Sequence, residues 1–484
     1  MSNLGRRSAR GAVATVGAQG MQLVLQILST AVLARILSPG DFGLLAMVMP
    51  LVGFAAVFAD AGLSMATVQR VEISHRQVSN LFWFNVMLGV LLALLVVMAS
   101  PVVAWFYSEP SLAPLTILLA LPLVLTGLSV QHKALLTRQM RFGTLAWITI
   151  ASQAVSIGVG VAFAAWGAGY WSLGIMHVAN AAALMVLIWS AAGWVPGLPR
   201  RGAGTGAMLA FGGNMAAFSF INFFVRNLDN ILIGAVWGKS ALGLYSRAYN
   251  LLLLPITQLN GPVGRVAVPA LSRLQQEPER FAAYYRKGLL LLAAMGMPLV
   301  AFCAVATDDV VLAVLGAKWV DAVPIFRALA PAAFCGTFNV ALGWVFVPLG
   351  QVNRQVRVAV FSAAANISAF FIGLRWGPVG VAYGFSIAIT LTQIPMLLYT
   401  YRRSPLCLKD WASSVRLPAL ASMAAAFCLW LALPRLAGLG LFLRLLLSGA
   451  GFYGVYAILF YGFARLMRVP LHLKLGEVKA FLGR

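Results

Sequence analysis

Charge is scarce in this 484-residue chain: Asp, Glu, Lys and Arg together make up 10% of it, while 61% is hydrophobic. A soluble protein carries about 25% charged residues, so the composition excludes a water-soluble globule and points to an all-α polytopic membrane protein. Cysteine is equally sparse. Cys303, Cys335, Cys407 and Cys428 follow no metal or redox spacing, and three of them lie in apolar stretches, which reads them as small core hydrophobes. The four histidines are scattered. No metal site and no cofactor are therefore expected. The formal charge of +23 invites a nucleic-acid reading, which fails once the basic residues are placed on loops.

What the chain has instead is apolar runs long enough to cross about 30 Å of hydrocarbon. They fall near 13–37, 41–67, 78–106, 113–136, 143–166 and 170–192. After the break GWVPGLPRRGAGTG they resume near 208–237, 241–268, 286–307, 321–348, 355–375, 378–401, 412–434 and 441–466. Fourteen spans are predicted. The first, despite Arg6, Arg7 and Arg10, is too long for a signal peptide and lacks a cleavage-like end. Most of the 35 Lys+Arg fall on alternate connections, among them Arg70, Arg76, Lys133, Arg138, Arg141, Arg200, Arg201, Arg402, Arg403 and Lys409. The opposite loops hold only Lys239, Lys318, Arg375 and Arg435, with Arg35 and Arg444 near helix ends. This positive-inside asymmetry predicts that both termini are cytoplasmic. It makes the basic excess topological, with the lipid bilayer as partner and no nucleic acid. The tail from Val469 to Arg484 suits a short interfacial helix.

The chain also resembles itself at an offset of about 200. VLARILSPGDFGLL (32–45) lies over LIGAVWGKSALGLY (232–245), each joining two spans through a small-residue turn that ends in Gly-Leu. WGAGYWSLG (166–174) lies over WGPVGVAYG (376–384). The expected organisation is a lobe of six helices over 1–200, a second over 201–401, and an extra helix pair with the tail over 402–484. Six being even, both repeats enter the membrane in the same sense, with a substrate path at their interface.

Charges inside spans are few, and each costs roughly 2.5–3.5 kcal/mol at a helix centre. Helical spacing puts Asn222, Arg226, Asp229 and Asn230 on one stripe. That stripe faces protein or a water-filled cavity, either as a substrate surface or as an Arg226–Asp229 ion pair that neutralises itself. Arg247, with no acid in helical reach, enters from beyond the 238–240 turn at comparable depth, and Tyr249 lies near it. Arg265 reads as a snorkelling anchor. Arg327 is shallow from the outer face and is either a further cavity contact for substrate or a structural cation helped by Asp321. Asp60 either binds a coupling cation or proton or ends its helix. A net positive chamber suits an anionic substrate group, because Arg stays charged when buried and binds phosphate in a bidentate way.

LARILSPGDFGLLAM, FADAGLSMATVQR, ALLTRQMRFGTLA with WGAGYWSL, and above all RNLDNILIGAVWGKSALGLYSRAYNLLLLPITQLNGPVGRVAVPALSRLQ resemble the WzxC-type polysaccharide flippases. These belong to the multidrug/oligosaccharidyl-lipid/polysaccharide exporter superfamily. The resemblance runs to about residue 401. It implies fourteen helices in a V-shaped pair of lobes in the cell inner membrane. It implies translocation of undecaprenyl-diphosphate-linked oligosaccharide repeat units to the periplasmic leaflet, for exopolysaccharide, capsule or lipopolysaccharide assembly. Polysaccharide polymerase and chain-length or export proteins are the implied partners, and an H+ or Na+ gradient or the membrane potential the implied drive. On the family's pattern of cationic cavity residues, Arg226 and Arg247 would contact the pyrophosphate or an acidic sugar. Two rivals stand beside this. A multidrug exporter of the same superfamily would call for an acidic cavity, and this one leans basic. A membrane polymerase or glycosyltransferase needs a large catalytic outer loop. Here the outer loops are short, and their one acidic cluster, Asp308-Asp309, reads as a solvated turn, so no enzyme is expected.

Overall fold

The computed structural model is all-helical, with no strand among the described residues. The structure describes the backbone of residues 2–60, 64, 67–68, 70, 73–199 and 206–466; it describes their side chains except for 2–16, 60, 206–226, 254, 262 and 466. The interfacial helix expected for the tail therefore lies outside the described residues. In chain order the helices are α1 (Ser2–Ile36), α2 (Pro39–Asp60), α3 (His75–Phe106), α4 (Leu112–Arg138), α5 (Phe142–Ala165), α6 (Tyr170–Ala192) and α7 (Gly206–Arg273). Then follow α8 (Pro278–Val305), α9 (Thr307–Val314), α10 (Ala322–Gly336), α11 (Val340–Phe346), α12 (Val352–Gly373), α13 (Gly377–Tyr401), α14 (Leu408–Ala432) and α15 (Leu441–Leu466).

Among the described residues, eleven helical stretches are long and apolar enough to cross a membrane, or twelve if the broken helix Asn227–Leu253 with Pro255–Arg273 is taken as one span. The protein is a multi-pass membrane protein. The difference from the fourteen expected spans sits in two places. Val352–Tyr401 counts as one 50-residue stretch but holds α12 and α13. These reverse beside Gly377, whose φ of 71° is open to glycine alone at no cost. The helix α7 is likewise interrupted at Gly238, with φ 77° and ψ −177°. A straight helix would hold Asp229 and Tyr245 about 24 Å apart at 1.5 Å per residue. Instead Tyr245 Oη donates to Asp229 Oδ2 at 2.9 Å, so the chain doubles back at Gly238.

The chain forms two compact units, 1–246 and 247–484. In the first, α3 packs on α4, α5 on α6, α4 on α6 and α1 on α5. Ser74 caps α3 in a capping box, accepting from Gln77 N at 3.3 Å while Gln77 Oε1 accepts from Ser74 N at 3.0 Å. The segment after α6 is pinned back onto α3. Trp194 Nε1 donates to His75 Nδ1 at 3.0 Å, Trp83 Nε1 to Gly197 O at 2.9 Å, and Gly197 N to Ser79 Oγ at 3.0 Å. In the second unit, α8 packs on α14, α12 and α10 on α13, and α14 on α15. Its core gathers Phe281, Tyr285, Leu289 and Trp344.

The surface is apolar, as lipid requires. Met98, Met423 and Leu446 are among the exposed residues. Trp105, Trp166, Trp376 and Trp430 are also exposed, and each stands at or beside a helix end on the side with few basic loops. Amphipathic rings at such ends form the aromatic belt of a membrane interface.

Candidate functional site

The polar stretch of α7 carries the first part of the site. Asp229 is 5% exposed and lies on the arm before Gly238. Its Oδ2 accepts from Tyr245 Oη at 2.9 Å and its Oδ1 from Asn230 N at 2.8 Å. A carboxylate in apolar surroundings survives only if its lone pairs are met, and here a phenol from the returning arm meets one. Among the described residues, the hydrogen bonds to the Asp229 carboxylate come from Tyr245 and the Asn230 amide, and the expected pairing with Arg226 falls outside them. The side chains of Arg226 and Asn222 lie outside the described residues, as does that of Asp60. Asn230 Oδ1 is buried and has no hydrogen-bond partner among the described residues.

Arg247 and Tyr249 belong to the second unit. Arg247 is partly buried, and the ring of Tyr249 lies 6.1 Å from that of Phe385. Arg265 is exposed, as a snorkelling side chain would be.

The second part of the site is the place where two helix turns meet within the first unit. The turn between α1 and α2 is tightened by Asp41, whose Oδ2 accepts from Ser38 N at 2.9 Å and Ser38 Oγ at 2.6 Å. It packs directly on the turn at Gly238. A Cβ on Gly43 would stand 1.7 Å from Lys239 O, and a Cβ on Gly243 would stand 1.8 Å from Pro39 O. Gly43 and Gly243 occupy equivalent places in the aligned segments 32–45 and 232–245, and so do Pro39 and Lys239. The contact is reciprocal, as a two-fold relation between like surfaces makes it. At its edge Lys239 Nζ lies 2.8 Å from Glu109 Oε2. That ammonium holds the Glu109 carboxyl below the usual carboxylate range.

Two outer acids differ from the sequence reading. Asp308 and Asp309 begin α9 rather than a turn; Asp308 is exposed, as expected, but Asp309 is buried. Asp309 is 4% exposed and pairs with Arg444 at the start of α15. Asp308 pairs with Arg327, so the partner of Arg327 is this residue rather than Asp321. Sequence separation hid both partners.

Comparison with known proteins now decides the family. Residues 32–324 match the family described as "Polysaccharide biosynthesis protein". The chain belongs to this family. It is 27% identical over 407 residues to the lipopolysaccharide biosynthesis protein WzxC of Escherichia coli (strain K12), covering 81% of each chain. It is 31% identical over 309 residues to the teichuronic acid biosynthesis protein TuaB of Bacillus subtilis (strain 168), covering 63% of this chain and 64% of that one. Among solved structures, the fold is that of the lipid II flippase MurJ in an inward closed conformation, with a TM-score of 0.74, 15% identity and 94% of this chain covered against 99% of that one. An inward-facing multidrug-resistance MATE transporter of the MOP superfamily also shares it, at 0.64, 14%, and 81% against 98%. This member of the family thus shares its all-helical fold with MurJ and the MATE transporter.

Proposed function

We propose that this member of the polysaccharide biosynthesis family is a flippase for lipid-linked oligosaccharides. It would carry an undecaprenyl-diphosphate-linked repeat unit across the inner membrane, with both its termini in the cytoplasm. The observation that carries the reading is family membership in a chain with the exporter fold, joined to buried polar groups on α7 where a lipid-facing helix would have none. The names of the relatives, which concern polysaccharide or lipid-linked glycan pathways, favour this over drug export. Nothing in the reaction calls for bond chemistry by the protein. Translocation needs only a polar path for the glycan and diphosphate while the polyprenyl tail stays in lipid.

In this reading Arg226 and Arg247 are the cations for the diphosphate, and Asn222, Asn230 and Tyr249 supply polar contacts to sugar. Asp229, satisfied by Tyr245, fixes the α7 hairpin. The salt bridge to Asp308 gives Arg327 a holding role at the outer end. Asp60 is the candidate for coupling to an ion gradient. The reciprocal turn contact is the outer seal: while Gly43 lies on Lys239 and Gly243 on Pro39 the outer side is shut, and the turns part for release.

The test is deletion of the gene followed by analysis of the lipid fraction. A lipid-linked oligosaccharide accumulating on the cytoplasmic leaflet, with loss of surface polysaccharide, is the expected result. Unchanged polysaccharide with a rise in drug sensitivity would overturn the proposal in favour of a multidrug exporter.

A further inference from the structure

The helices α12 and α13 touch backbone to backbone near their reversal. A Cβ on Gly373 would lie 2.4 Å from Gly380 O, and one on Gly384 would lie 2.6 Å from Ala369 O. At their other end bulky side chains stand between them. The Arg354 guanidinium lies 4.7 Å from the centroid of the Tyr399 ring, donates to Tyr399 O, and is steadied by Gln351 Oε1 at 2.6 Å. Beside this wedge opens a cavity of about 340 Å³, lined by Arg357, Val358 and Phe361 of α12 and by Pro395, Met396 and Tyr399 of α13. Four of its six lining residues are apolar, and Phe361 and the one charged member, Arg357, are exposed.

The charge at this end is uncompensated in sequence. No acidic residue stands between Asp321 and Asp410, while Arg354, Arg357, Arg402 and Arg403 all fall at this end of the two helices. Asp410 is itself engaged by Arg286 at 2.9 Å and by Cys407 N at 2.8 Å. None of the ion pairs among the described residues includes Arg354 or Arg357.

We propose that this cavity seats one acyl chain of an anionic phospholipid whose phosphate pairs with Arg357. The volume lies at the low end of the roughly 300–1,000 Å³ of small-molecule sites, enough for part of one chain, and the mostly apolar lining suits a chain rather than a headgroup. Moving an acyl chain from bulk lipid into an apolar groove gains no hydrophobic free energy, since both phases are equally apolar. Selectivity therefore rests on charge, and a basic pocket between helices at the anionic leaflet is where a lipid phosphate is held.

The purified protein is equilibrated with phosphatidylglycerol and phosphatidylcholine in equal amounts, and retained lipid is identified by native mass spectrometry. The wild type retains phosphatidylglycerol in preference. Arg357→Gln weakens that preference about fivefold, the value of about 1 kcal/mol for one basic residue at an anionic surface. Phe361→Trp, which fills the groove and leaves the charge, removes the retained lipid whatever its headgroup. Wild-type retention by both variants overturns the proposal. So does displacement of the lipid by inorganic phosphate alone, which marks a free-anion site. Displacement by a polyprenyl diphosphate at concentrations where phosphatidylglycerol does not compete assigns the groove to the transported lipid and equally overturns it.

Discussion

The turn contact permits a sharp perturbation. Gly43 and Gly243 both lie in helical backbone, where replacing glycine by alanine normally stabilises by roughly 0.5–1 kcal/mol. Here the added methyl of Gly43→Ala would sit 1.7 Å from Lys239 O. A carbon rests no closer than about 3.3 Å to a carbonyl oxygen, so the turns must separate by roughly 1.6 Å. The obstacle is backbone, which cannot swing aside as a side chain does. Overpacking of this kind costs about 1–3 kcal/mol, which outweighs the helix propensity gained. If the contact is a seal between two states, that cost shifts the closed-to-open ratio by about 5- to 150-fold. Leu44, 3% exposed, reports on it: a cysteine there, in a background with the four native cysteines replaced, meets a membrane-impermeant maleimide only when the turns part. Gly43→Ala should raise the labelling rate by that factor and lower export. Because the contact is reciprocal, Gly243→Ala should do the same, and the double variant should add little once the turns are apart. Labelling and export at parental levels in both single variants would refute the reasoning, and so would a rise in melting temperature.

Four further outcomes follow from the same structure. Tyr245→Phe removes the hydroxyl that meets Asp229 Oδ2, and a thermal melt in detergent should show a loss of about 1.5–3 kcal/mol, the worth of a hydrogen bond to a charged group. Asp309→Ala strands the partly buried Arg444 and should cost about 3 kcal/mol, whereas Glu277→Ala, which breaks the exposed pair with Arg280, should cost under about 1 kcal/mol; equal melts would contradict the burial argument. The Glu109 carboxyl is held below its ordinary range by Lys239, so its contribution to the seal is present above the ordinary carboxylate range and lost as outer pH falls through the lowered value. Maleimide labelling at Leu44→Cys in the parent, taken at each pH relative to the same cysteine in Glu109→Gln, should therefore rise toward acid pH. Arg226→Ala and Arg247→Ala each leave a transported diphosphate short of one cation, which should weaken its binding by about 2–5 kcal/mol; normal export at wild-type membrane levels would remove these residues from the site.

Period and composition carried most of the architecture. Apolar runs and the basic loops are one-dimensional signals, and the helices follow them closely: the expected span 78–106 is covered by α3, and 143–166 is matched to within one residue by α5. The repeat was legible for the same reason, since LARILSPGDFGLL over IGAVWGKSALGLY needs no partner to be seen. What it could not give was the contact that Gly43 and Gly243 make, because close approach of two backbones leaves no mark but the absence of a side chain.

The misreadings share one cause. A sequence offers a charge only its near neighbours, so Asp321 stands out as the partner of Arg327, and the donor to Asp229 across the turn goes unseen. Tyr245 is sixteen residues on and becomes a neighbour only because Gly238 reverses the chain. Asp309 and Arg444 are separated by 135 residues, and Asp308 and Arg327 by 19. In an apolar medium a carboxylate without a donor is so costly that each acid within a span or at its end implies a partner, even when the sequence does not say which. The productive inference from a sequence of this class is therefore that a donor exists, to be sought first across the nearest turn. By that rule Asn230 Oδ1, buried and unpartnered among the described residues, on the same hairpin as Asp229, is an acceptor in need of a donor. A sugar hydroxyl arriving there would supply one.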